Sequence, residues 1–202
     1  MVDAVVVWSR LVGAGIRSQL QYRTSFALDF LGSFLIAFLD FLAVLVIFHN
    51  TPRLAEWSVH EVAFLYALSS ICFALTDLAI GHLDLFPQLI RDGNFDILLV
   101  RPRGTLLQVI ARDFQLRRLG KAAQGSIVLV YALSSLHVDW TVARVAVLAA
   151  SLVSGILIFA SVWILFACIA FWTVDGGEFT NAFTYGGNFL AQYPIDIYGA
   201  WL

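Results

Sequence analysis

Charge is scarce in this 202-residue chain. Charged residues make up 13% of it and hydrophobic residues 60%, with a mean hydropathy of +0.85. A soluble domain is about a quarter charged and about half apolar, so the composition excludes an ordinary water-soluble fold and points to a chain solvated by lipid. The 12 basic residues are outnumbered by 14 acidic ones, which argues against a nucleic-acid binder, since that function needs a basic surface to neutralise phosphates. Cysteine is nearly absent. Cys72 and Cys168 offer neither a disulfide framework nor metal spacing, and each is expected to act as a small buried hydrophobe. His49, His60, His82 and His137 stand apart, with no H-E-x-x-H among them. There is no G-x-x-x-x-G-K-[S/T] phosphate loop, so ATP chemistry is not expected of this chain alone. Ser33, Ser126 and Ser154 neighbour glycines, but none lies in G-x-S-x-G and no histidine falls mid-run to serve as base. No catalytic residue, metal or cofactor is therefore assigned to it. The N-terminus is not a cleavable signal either: the apolar stretch 4–7 is too short, and Arg10, Arg17 and Arg23 follow it.

Long apolar runs are what the sequence does contain. Its length suits about five spans of about 20 residues each plus connections. Residues 5–22 place Trp8, Leu11, Val12 and Ile16 at helical spacing, with Arg10, Arg17 and Gln21 on another side, as in a helix lying in the membrane interface. Spans are expected over about 26–48, 62–81, 122–138 and 142–172. Ser58-Val-His-Glu61 has the form of a capping box before the second. A second such box, Thr105-Leu-Leu-Gln108, is expected to open a helix carrying Arg112, Arg117, Arg118 and Lys121 into the third span. Asp139 and Thr141 are candidate N-caps for the fourth, which exceeds what a bilayer requires and so should tilt or project. The aromatic, glycine-rich stretch 175–202 reads either as a weak fifth span or as an interfacial helix, with Tyr185, Tyr193, Tyr198 and Trp201 suited to an interface belt.

Placing the N-terminus in the cytoplasm puts Arg10, Arg17, Arg23, Arg91, Arg101, Arg103, Arg112, Arg117, Arg118 and Lys121 inside, and only Arg53 and Arg144 outside. That bias sets the orientation. Within the spans, Asp29 and Asp40 share a helix face with Ser33 and Ala37 near it, and Ser70, Asp77 and Asp84 recur every seven residues. An ionised group in hydrocarbon costs at least about 2.5–3.5 kcal/mol, so such residues face protein or water. Two readings stand: a polar path for substrate or protons, in which Asp40 and Asp77 are the better candidates, or interhelical bonding. Gly120, Ala123 and Gly125 mark a close-packing face on the third span.

One polar island interrupts the apolar chain: RDGNFDILLVRPRG, from Arg91 to Gly104. The preceding segment carries Phe86, Leu89 and Ile90 as apolar anchors. Asp92-Gly93-Asn94 is a turn signal, because glycine takes positive φ without penalty. The run Phe95, Ile97–Val100 is too short to span, and Arg101-Pro102-Arg103 ends it. The result is a compact elbow with apolar residues on offer. It is either a docking surface for a soluble partner or a loop resting on the membrane.

R-D-G-N-F-D-I-L-L-V-R-P, then L-L-Q-V-I-A-R-D and D-G-G-E-F-T-N-A-F-T-Y-G-G-N-F-L-A-Q-Y-P-I-D-I-Y, resemble the ABC-2 type permease subunits of the six-span branch of bacterial ABC exporters. The resemblance covers essentially the whole chain. It implies an all-α, polytopic transmembrane helical bundle forming one permease domain over 1–202. That domain would have an interfacial helix over 1–24, a cytoplasmic coupling region over 82–121 and about five spans, the short fifth over 178–193. The sixth span of the family pattern has no counterpart before Leu202. The resemblance further implies a bacterial cytoplasmic-membrane exporter; its substrate is not readable, although the aromatic, apolar spans are compatible with lipophilic or amphipathic cargo. It would assemble with a second permease, identical or paralogous, and with separate ATPase subunits that bind ATP and Mg. A coupling helix within 83–96 would meet the ATPase through Leu85, Phe86, Leu89, Arg91, Asp92, Gly93, Phe95, Asp96, Arg101 and Pro102. Asp29, Asp40 and Asp77 would line the path or pack helices. The rival is a stand-alone proton-coupled transporter using Asp40 and Asp77; a structural membrane subunit without transport is a third class.

Overall fold

The computed structural model describes residues 2–51, 53, 56–102, 104–112, 115–136, 138–173 and 176–198, with the side chains of 2–8, 11, 111–112 and 176–180 outside that description. Arg103, His137, Trp201 and Leu202, and the side chains of Trp8, Leu11, Arg112 and Glu178, thus lie outside the described residues. The described chain is helical, in the order α1 (Val2–Gln21), α2 (Arg23–Asn50), α3 (Val59–Ile80), α4 (Phe86–Arg91), α5 (Asn94–Leu99), α6 (Thr105–Arg112), α7 (Leu119–Ser135), α8 (Val142–Ile169) and α9 (Gly176–Ala191). Short 3-10 turns cover Gly81–Leu85, Leu116–Arg118 and Ile195–Ile197.

Among the described residues, three stretches are long and apolar enough to cross a membrane: Arg23–Asn50, Val59–Arg91 and Val142–Ile169. At 1.5 Å per residue the 28-residue α2 and α8 reach about 42 Å, beyond the roughly 30 Å of a hydrocarbon core. α7 and α9, with 17 and 16 residues, reach only about 25 Å. α9 nevertheless runs the length of α3 in the opposite sense. Tyr185 meets Asp84 beyond the end of α3, Asn188 meets Ser69, and past the helix Asp196 accepts from Trp57 Nε1 at 3.0 Å, before α3 begins.

Local chemistry sets the helix ends. Ser58 caps α3, and Glu61 returns the bond to the Ser58 backbone N–H at 2.8 Å; the expected capping box is present. Thr141 caps α8 through Arg144 N, while Asp139 supplies its backbone carbonyl to the Arg144 guanidinium rather than a cap. The second expected box is not formed. Thr105 is the first residue of α6, and the Gln108 amide instead donates to Leu98 O at 3.2 Å, tying α6 to α5. Nor does α6 climb unbroken into the third span. Gln115 is extended and a 3-10 turn intervenes before α7.

α3 is the central element: 56% of the most apolar part of the stretch Val59–Arg91, which it opens, is buried, against 17% for α2 and 11% for α8. One core joins α2, α3 and α7 through Phe41, Val44, Tyr66 and Val128, and the Tyr66 hydroxyl donates to Ala37 O at 2.9 Å. A second joins α3, α8 and the elbow through Phe73, Leu83, Phe86 and Trp163. Cys72 is buried, but Cys168 lies exposed on α8, contrary to expectation, because that helix turns most of its surface away from the bundle.

Small residues permit the α2–α3–α7 approach. A Cβ on Gly120 would lie 2.5 Å from Phe30 O and 2.9 Å from Phe34 N, and one on Gly125 would press on Ile71. Gly120→Val should therefore cost about 1–3 kcal/mol through overpacking, read as a lower Tm in detergent. Gly32→Ala, where a Cβ meets nothing within 4 Å, should lose nothing. Equal Tm values for both variants would contradict the contact.

Candidate functional site at the elbow end of the bundle

The polar island folds as a hairpin of two very short helices. α3 gives way at Gly81 to the 3-10 turn, and Pro87 sits in the first turn of α4, where its missing N–H costs no bond. The chain reverses at Gly93, whose φ of 69° is the positive angle expected from the turn signal. α5 then ends at Leu99, ahead of Arg101-Pro102.

The elbow has an inner and an outer side, and these differ from the sequence expectation. Phe86 and Phe95 are not offered outward. Their rings meet edge-to-face at 5.3 Å, and both stand 5.4 Å from Phe171 past the end of α8. Phe86 is 8% exposed. A six-residue helix has little else to hold it, so its aromatic side goes to the nearest apolar surface. Leu89 is half-buried. The outer side carries Leu85, Gln88, Arg91, Asp92, Gly93 and Asp96, and beyond them Ile97, Leu99, Val100, Arg101 and Pro102, all exposed. A cavity of about 350 Å³ opens between α4, Asn94 and α6, lined by His82, Gln88, Asp92 and Val109 among others.

The root of the elbow is fixed in three directions. Arg118, just before α7, lays its guanidinium over Gly81 and donates to Asp77 Oδ1 at 2.7 Å and to the Asp77 carbonyl. A Cβ on Gly81 would collide with both Arg118 Nη1 and Asp77 Oδ1, so glycine is what admits the pair. Lys121, the only lysine in the chain, stands 3.9 Å from Asp77 Oδ2. Its ammonium also lies 5.5 Å from the Phe73 ring centre and 5.4 Å from that of Tyr185. Asp84, within the 3-10 turn, accepts from Trp163 Nε1 of α8 at 2.7 Å and from the Tyr185 hydroxyl of α9 at 3.3 Å.

The acids singled out by spacing thus separate. Asp77 and Asp84 anchor the elbow, and their companion Ser70 accepts from Gln192 at 3.5 Å. Asp40 is half-buried on α2 and Asp29 exposed near its start; among the described residues neither is hydrogen-bonded to Asp77. The roles of Arg118, Trp163 and Tyr185 were missed from sequence. The available signal was pairing: α3 and α7 are joined at this end, so a carboxylate near the end of one meets the basic run opening the other.

Comparison with known families agrees with this architecture. A model of the ABC-2 family transporter proteins matches residues 34–202. The chain belongs to that family. No curated protein and no solved structure matches it. It is therefore an integral membrane permease of an ABC-type transporter, a membrane component that is not itself the ATPase and that works with an ATPase subunit.

Asp77→Ala leaves the Arg118 guanidinium buried without its counter-charge and should cost about 3–5 kcal/mol. Asp77→Leu combined with Arg118→Met should recover most of that. A double-mutant cycle on unfolding in mixed micelles measures the coupling; additive losses would contradict the ion pair.

Proposed function

We propose that this permease belongs to an ATP-driven exporter of lipophilic or amphipathic molecules in the bacterial cytoplasmic membrane, and that the elbow around residues 83–96 receives the motion of the ATPase. The observation that carries the reading is the two-sidedness of the elbow. Its outer side is exposed, with Asp92 and Asp96 beside Ile97, Leu99 and Val100, while its inner side and root are fastened to α7, α8 and α9 through Arg118, Phe171, Trp163 and Tyr185. A push on such an element is delivered to three helices at once.

The basic residues at the elbow end, among them Arg17, Arg23, Arg91, Arg101 and Lys121, against Arg53 and Arg144 at the other end, support a cytoplasmic elbow and N-terminus. Two such permeases, identical or paralogous, would face each other above two ATPase subunits. ATP-driven closure of the ATPases would then shift each bundle between two packings, which requires the partner to bind the two packings differently. Export, rather than uptake, rests on the family resemblance. Asp77 is held by Arg118 and Lys121, which supports a structural rather than a proton-carrying role for that acid.

The cleanest probe is exposed. Phe86→Ala would empty a buried aromatic site and destabilise the fold by about 3–5 kcal/mol, confusing folding with coupling. Asp92→Arg with Asp96→Arg reverses two exposed charges instead. In proteoliposomes with the cognate ATPase, this variant should insert with wild-type Tm and retain ATP hydrolysis while transport falls at least about tenfold, a loss of about 1.4 kcal/mol of coupling. Wild-type transport by the variant would sink the elbow assignment. Transport driven by a proton gradient without any ATPase would return the reading to Asp40 and Asp77.

A further inference from the structure

Where α1 turns into α2, a cavity of about 540 Å³ lies apart from the elbow. Its walls are Ser18, Gln19 and Tyr22 of the first helix and the break, Ser25, Phe26 and Asp29 of α2, and Gln115 and Arg117 ahead of α7. Gln19 holds it together by accepting from Leu116 N at 2.8 Å across 97 residues of sequence. Arg117 spends its Nε on Gln115 Oε1 at 2.9 Å; its charge also reaches Asp77, but among the described residues its terminal nitrogens make no hydrogen bond or ion pair. No hydrogen bond or ion pair involves Asp29 among the described residues either. One cavity therefore presents an unused carboxylate, an unused guanidinium edge, two serine hydroxyls and two aromatic rings.

We infer that this cavity binds the headgroup of a membrane phospholipid carrying a primary ammonium, a phosphoethanolamine, independently of the coupling proposed above. Arg117 takes the phosphate, since its planar donors match phosphate oxygens. Asp29 and the serine hydroxyls take the ammonium, which offers three N–H donors that a quaternary amine lacks. The depth suits a headgroup: Asp29 lies about 9 Å along α2 from Arg23, six residues at 1.5 Å each. A tail has somewhere to go. Asp29, Gly32, Ile36 and Leu39 form one helical stripe leading into the apolar part of α2. Gly32 leaves its surface flat, with open space where a Cβ would stand, while Ile36 and Leu39 are exposed. A lipid, rather than a free solute, is the occupant because this apolar track continues from the polar cavity.

The test uses the full chain purified in detergent, with bound lipid counted by native mass spectrometry after titration with phosphatidylethanolamine, phosphatidylcholine or phosphatidylglycerol. The wild type should retain phosphatidylethanolamine over both others. Asp29→Asn should erase that preference, and Arg117→Gln should lower retention of phosphatidylethanolamine about tenfold, the size of one charge-assisted hydrogen bond. Ser25→Trp, which fills the cavity without touching either charge, should give the same loss at unchanged Tm, separating occupancy from folding. Soluble glycerophosphoethanolamine should not displace the lipid. Equal retention of all three lipids, indifference to the variants, or displacement by the soluble headgroup would each overturn the assignment.

Discussion

One guanidinium crossing one glycine organises the end of this molecule. Arg118 reaches Asp77 only because Gly81 has no side chain, and the pair lies at the point where α3 stops being an α-helix. Taking two charges from water is costly, and a buried pair contributes little net stability compared with apolar packing. Its effect is positional. With Asp77 neutralised by Arg118 and Lys121, α7 is held against the root of the elbow. Asp84, one heptad on, binds α8 and α9 to the same root through Trp163 and Tyr185. Four helices thereby share one small polar junction in an otherwise apolar bundle.

The distribution of burial gives that junction its meaning. α3 is enclosed by its neighbours, whereas α2 and α8 keep most of their apolar surface outward, at Leu35, Val46, Leu157 and Ile158 for example. In water such surfaces would drive aggregation; in a bilayer they are solvated. The bundle therefore has a stiff middle and lipid-facing flanks, with the elbow joined to the middle. The aromatic cluster of Phe86, Phe95 and Phe171 packs the inner face of the elbow against the chain just past the end of α8.

Much of this was legible in the sequence, for identifiable reasons. Periodicity and length place α2, α3 and α8, since long apolar runs have few alternatives. Ser58 and Glu61 mark a helix start because their reciprocal bonds are local. Gly93 marks the reversal because few other residues tolerate its φ. Gly120 and Gly125 mark close approach. What failed depended on tertiary context. Thr105-x-x-Gln108 carries the letters of a capping box, but Gln108 finds a better partner in Leu98 O across the elbow. Phe86 and Phe95 look like outward anchors until α8 ends beside them. Arg118 and Lys121 read only as part of a charge bias, but they lie at the elbow end and are the partners of Asp77. Spacing along one helix shows that Asp77 needs company; it does not show from which helix that company comes.

The central claim is that the Arg118–Asp77 junction carries motion from the elbow into α7. Spin labels at Val130 on α7 and Val147 on α8, both exposed, report that motion as an interhelical distance in the permease assembled with its ATPase in nanodiscs. The account predicts that trapping the ATPase with nucleotide shifts this distance in the wild type, and that Arg118→Met abolishes the shift while the complex stays assembled. The same nucleotide-dependent shift with and without Arg118 would contradict it.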